Sequence, residues 1–147
     1  MSRQTQSIES RLKQNREKSP VKEQETILIS WKHYRGKDGK IGQLISEWDE
    51  NLLKKFFNKV DIIQELNYSQ ARDQRLIKFY TCFPKKEKTD FKCPDDLDPT
   101  SNWGTIQGFY QHARVAGFFD KRYFYIVFLD KDHKFYKSSE HHKETGN

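Results

Sequence analysis

The sequence predicts an α+β fold: one small antiparallel sheet of three to five strands with two helices packed on one of its faces. Three observations lead there. Trp48, Leu52, Phe56 and Val60 recur every fourth residue, with Leu53, Phe57 and Ile63 beside them, a stripe wide enough to be the buried face of a helix. YFYIVFL, Tyr123 to Leu129, is apolar on both faces and reads as a strand covered from two sides. Between the helical half and the strand half lies a polar, turn-rich stretch, residues 84–102, with three of the four prolines.

A length of 147 residues suits one domain. With 34% hydrophobic and 33% charged residues the core is modest, but 11 Phe, 7 Tyr and 3 Trp each bury a large area. Residues 1–26 form a basic arm whose few aliphatic anchors, Ile8, Leu12 and Val21, do not offset chain entropy, so it is expected to order only on a partner. Residues 27–137 form the domain, and 138–147 a polar tail.

Within the domain, Ile27 to Tyr34 reads as a first strand, ended by the turn formers Gly36, Asp38 and Gly39. Ser46, followed by acids, is the expected N-cap of the first helix. A second helix is capped by Asn67 or Ser69 and runs to Tyr80, ahead of Phe83-Pro84. On it Arg72, Arg75 and Lys78 fall at spacings of three and share an exposed face. The 84–102 loop is long for a plain connection. Strands follow at Trp103–Ile106, His112–Phe119 and Arg122–Leu129, with a last one near Lys134–Lys137. Asp120-Lys121 turns the second into the third. On the third, Tyr123, Tyr125, Val127 and Leu129 face one way, and Phe124, Ile126 and Phe128 the other.

The charge is +6, 27 Lys and Arg against 21 Asp and Glu, a balance that favours polyanionic partners such as nucleic acid. Lys32, Arg35, Arg72, Arg75, Lys78, Lys131 and Lys134 are the candidate contacts. Cys82 and Cys93 stand eleven positions apart in no metal or redox pattern and read as ordinary thiols of a reducing cytoplasm. No apolar leader or stretch of the roughly 18 residues a membrane span needs occurs. There is no Walker loop, Rossmann fingerprint, GxSxG or HExxH, which removes the common nucleotide-dependent and hydrolase classes. Asp130, Asp132 and His133 on one tight turn offer too little geometry for a metal, so no metal or cofactor is expected.

The stretch WGTIQGFYQHARVAGFFDKRYFYIVFLDKDHKFYK, Trp103 to Lys137, resembles the RelE/ParE family of small basic toxins: a strand carrying an arginine, an aromatic-rich strand, then His-x-x-Tyr. The resemblance implies a RelE/ParE-like fold and, in the RNase branch, metal-independent cleavage of RNA, commonly on the ribosome, by 2′-hydroxyl attack on the neighbouring phosphate. It gives Arg114 the phosphate charge, His133 the proton, and Tyr136 the leaving group or a stacked base. It also implies a cognate antitoxin. The ParE branch acts on a topoisomerase. The residues alone leave other readings open: Arg114 paired with an acid such as Asp130, His133 as a surface turn histidine, Tyr136 as packing. The chain as a whole also reads as a non-catalytic adaptor docking on a larger protein or nucleoprotein.

Overall fold

The computed structural model describes residues 25–36 and 42–137, so nearly all of the 1–26 arm and the whole 138–147 tail lie outside the described residues. The elements run β1 (Leu28–Ser30), α1 (Glu50–Ile63), α2 (Tyr68–Asp73), β2 (Ile77–Phe79), β3 (Asn102–Ile106), β4 (Arg114–Asp120) and β5 (Tyr123–Asp130), with 3-10 turns at Ile45–Glu47 and Lys86–Lys88. The five strands form one sheet in the order β1-β5-β4-β3-β2. The fold is α+β, but the sheet is mixed: β1 lies parallel to β5, Leu28 opposite Tyr123, and the other neighbours are antiparallel.

The first helix starts later than Ser46. Ile45–Glu47 closes a 3-10 turn first, and it is Asp49 whose carboxylate accepts the Leu52 N–H at 2.8 Å, satisfying one of the orphan donors of the first turn. Leu52, Phe56 and Ile63 are buried, with Leu53 and Val60 packed beside them, whereas Phe57 faces outward. Asn67 and Gln70 cap α2 reciprocally, each side-chain oxygen accepting the other's backbone N–H at 2.9 and 3.0 Å.

The predicted run of α2 to Tyr80 is corrected. The chain leaves the helix at Arg75, whose φ of 61° puts it in the left-handed region, and the Leu76 N–H bonds to the Ala71 carbonyl at 2.9 Å. That six-to-one bond is a Schellman-type close with arginine in the place usually held by glycine. Ile77–Phe79 then becomes a short edge strand against β3, Lys78 opposite Thr105. Arg72, Arg75 and Lys78 therefore do not share a helix face.

Each face of the sheet carries a core. On one, α1 and α2 cover Ile77, Ile106, Val115, Phe124, Ile126 and Leu129. On the other, Trp103, Ala116, Phe118, Val127 and Phe128 are covered by Phe83, by Phe91, Cys93 and Leu97 of the long loop, and by Phe135. The loop is thus a lid of the second core, held by the Trp103 indole N–H donating to the Asp98 carbonyl at 2.9 Å. Burial on both faces explains why β5 is apolar throughout.

The strict alternation predicted for β5 fails at Val127. Ala116 pairs with Phe128 but Gly117 pairs with Ile126, leaving Val127 as the extra residue of a β-bulge. Val127 and Phe128 both join the second core, while Leu129 joins Phe124 and Ile126 on the helix side. A Cβ on Gly117 would stand 2.0 Å from the Tyr125 carbonyl oxygen, so the bulge needs glycine there. Lys121-Arg122 makes the tight β4–β5 turn, with Lys121 at φ 61°. Lys134–Lys137 is not a strand. Its backbone runs beside the loop, Asp90 N–H to Lys134 carbonyl at 3.0 Å and Lys137 N–H to Lys88 carbonyl at 2.7 Å, so that Phe135 can reach the second core.

Candidate functional site

The bulge sets the geometry at the end of the sheet where β5 finishes and β4 begins. By shifting the pleat one residue it turns Asp130 to the side of Phe128, and register places Asp130 opposite Arg114. Arg114, two residues from Ala116, points to the same face. β2 and β3 bring Lys78, Tyr80 and Thr105 to this face, and the segment after β5 brings His133 and Tyr136. Residues far apart in sequence thus converge on one rim.

Asp130 is wholly buried. Its carboxylate accepts the Lys134 N–H at 2.9 and 3.0 Å and the Phe135 N–H at 2.8 Å, fixing the turn that carries His133. Burial pushes its pKa up to about 6; the two N–H donors and the Arg114 charge pull it down, and the Asp132 carboxylate pushes it further up.

Arg114 is half-buried. Its Nη1 donates to the Ala113 carbonyl at 3.1 Å and to the Gln111 carbonyl at 3.5 Å. Burial lowers its pKa, and the nearby Tyr80 and Asp130 work the other way. Asp130 acts on it through space without a direct ion pair among the described residues, which leaves the rest of the guanidinium fork able to meet an anion.

Tyr80 and Tyr136 stack with ring centroids 4.1 Å apart and planes 4° from parallel, and the Lys78 ammonium lies 5.7 Å from the Tyr80 centroid. Burial raises the Tyr80 phenol above its ordinary range, offset by the neighbouring Thr105 hydroxyl and the Arg114 charge. His133 sits at φ 61°, with His112 beside it: the two imidazoles are 13° from parallel with centroids 6.4 Å apart. Of the five non-glycine residues in the left-handed region among the described residues, Gln111 and His133 belong to this rim and Arg75 lies close by, and such strain is often found where a fold positions chemistry.

The predicted basic contacts divide. Lys78 belongs to the rim, Lys134 is exposed in the turn after β5, and Lys131 reaches from the same turn to the Glu47 carbonyl at 3.1 Å. Arg75 is tied close by, its carbonyl accepting from the Gln107 side chain at 3.2 Å. Lys32 and Arg35 lie at the other edge of the sheet, where His33 rests on Phe118 and Tyr125 and Arg35 is paired with Asp96 of the loop. Arg72 pairs with Asp73 and lies over the Tyr68 ring. Of the predicted catalytic residues, Arg114 and Tyr136 meet through Tyr80, and His133 stands at the same rim.

Sequence reading passed over Tyr80 and treated His112 only as a strand residue. Tyr80 was assigned to a helix, and no spacing ties His112 to a histidine twenty-one positions on. Among the described residues no three His, Cys, Asp or Glu side chains are grouped so as to hold a metal ion, and no helix is long and apolar enough to cross a membrane. Comparisons with protein-family models, with curated proteins and with solved structures returned no match to this chain.

Proposed function

We propose that this chain binds RNA at the rim around Arg114 and cleaves it by attack of a 2′-hydroxyl on the adjacent phosphate, in the manner of a RelE/ParE-type toxin held in check by a cognate antitoxin. The observation that carries this reading is the convergence of Arg114, Lys78, the Tyr80–Tyr136 stack and His133 from three separate segments onto one end of the sheet. A guanidinium with unpaired donors matches the non-bridging oxygens of a phosphate and the charge that grows on them. The tyrosine pair offers a ring on which an unpaired base can stack, and the histidine an imidazole for proton transfer. The leading strand and two helices followed by the antiparallel run β2 to β5, with the arginine on β4, support the same reading.

The test is binding and cleavage of a labelled single-stranded oligoribonucleotide in EDTA. Affinity is expected to fall steeply with salt, because phosphate contacts release counterions, and Arg114→Ala to flatten the slope of log K against log salt by about 0.7. An affinity that ignores salt removes the RNA reading. A second reading, docking on a larger protein, draws on the outward Phe57 and Ile62 of α1, each 48% exposed, and would then stand ahead.

A further inference from the structure

Cleavage of RNA by its own 2′-hydroxyl needs two proton movements, and one histidine supplies one of them. The 2′-oxygen must lose a proton as it bonds to phosphorus, and the 5′-oxygen must gain one as its bond to phosphorus breaks. The rim holds a second imidazole that the reading above leaves unused. His112 is exposed, two residues before Arg114, and its ring lies beside that of His133.

We propose that His112 and His133 act as an acid–base pair in this cleavage. The inference rests on the RNA reading and adds to it a second catalytic residue. One imidazole takes the 2′ proton while its partner, as imidazolium, gives a proton to the leaving 5′-oxygen. The 2′-O–P bond forms, the P–5′-O bond breaks, and the products are a 2′,3′-cyclic phosphate and a 5′-hydroxyl, with the two rings left in exchanged protonation states. No water or other reactant is consumed.

The geometry fits the task. Each catalytic nitrogen must come within about 2.6–3.2 Å of the oxygen it serves, so rings 6.4 Å apart reach two oxygens of one phosphate. Left-handed backbone shapes the chain at both rings: His133 is itself at φ 61°, and His112 follows Gln111 at φ 42°. Arg114 is covalently two residues from one ring and strand-paired with Asp130, whose carboxylate fixes the turn of the other. The charged and titratable groups that share this end of the sheet with the pair include Arg114 from β4, Asp130 from β5, Lys131, Asp132 and Lys134 from the turn, and Tyr80 and Tyr136 from the flanking segments.

The experiment uses the full chain in EDTA and two versions of one oligoribonucleotide, ordinary and with sulfur in place of the bridging 5′-oxygen at the cut, a leaving group that needs no proton. His112→Ala and His133→Ala are each expected to slow cleavage of the ordinary RNA about 100-fold or more while leaving its affinity within about twofold. On the sulfur substrate one variant recovers to within about tenfold of the parent and the other does not, which names the acid. The parent's rate follows a bell in pH, and each substitution removes one limb. His112→Ala that cuts at the parental rate with both limbs intact overturns the pair and leaves the RNA reading standing. A parent chain that binds RNA and never cuts it overturns the cleavage reading and the pair together.

Discussion

Replacing Asp130 by Asn should make the protein more stable near neutral pH, and the gain should vanish in acid. Asp130 is wholly buried, and its carboxyl titrates at about 6 in place of the ordinary 3.8. A group whose folded pKa is raised contributes stability that is full below the unfolded value and lost as pH climbs through the folded one. At about 1.36 kcal/mol per unit, the difference corresponds to about 3 kcal/mol of stability lost between roughly pH 4 and pH 7. Asn keeps an oxygen at the place of Oδ2, which accepts both the Lys134 and Phe135 N–H groups, and carries no charge to desolvate. It also gives up the attraction to Arg114 and the repulsion from Asp132, which partly offset one another. The stability of Asp130→Asn minus that of the parent, from urea unfolding at unit steps of pH, should therefore grow by about 3 kcal/mol from pH 4 to pH 8. Comparing the two proteins at each pH cancels every other titration not coupled to this site. A difference that is flat with pH would show that Arg114 and the turn amides balance burial, and one that grows toward acid that they outweigh it; in either case the account of this carboxyl would be wrong.

Gly117→Ala should cost at least about 3 kcal/mol and leave little folded protein by circular dichroism, because the added methyl would stand 2.0 Å from the Tyr125 carbonyl in the bulge. Asp49→Ala removes the acceptor of the Leu52 N–H and should lower the unfolding free energy by about 1 kcal/mol in urea, whereas Ser46→Ala should change it little. Phe135→Ala empties a wholly buried site of the second core and should cost about 3–5 kcal/mol in the same measurement. Since Phe135 also anchors the segment bearing His133 and Tyr136, RNA retention on a filter should weaken in the folded fraction.

How much of this was legible in the sequence follows from which forces decide each element. The α1 stripe and the doubly apolar β5 are set by hydrophobic period over seven or more residues, and both elements stand where the pattern put them, except that α1 starts after Ser46, Phe57 faces outward and the alternation of β5 breaks at Val127. β2 is different. Leu76, Ile77 and Tyr80 satisfy a helical spacing as well as a strand's, and the choice between them lies in the left-handed Arg75 and in β3, which no local window contains. The Lys134–Lys137 segment was misread for a similar reason: its aromatics alternate plausibly, but its amides are claimed by the Asp130 carboxylate and by the long loop. At the rim, Arg114, Lys78, His133 and Tyr136 were named from chemistry and resemblance. Tyr80 and His112 join them only through a bulge that re-aims one strand end and through contacts across sequence distances with no pattern to read.

The pairing of β1 with β5 bears on how the chain is made. A ribosome emits Leu28–Ser30 early, yet the strand that completes it, Tyr123–Asp130, follows some ninety residues later. Until then the nascent chain carries a β segment without its partner strand, with Ile27 and Trp31 at its ends. Docking that strand closes a long loop late in folding, so the acquisition of structure should be slow relative to helical proteins of this size.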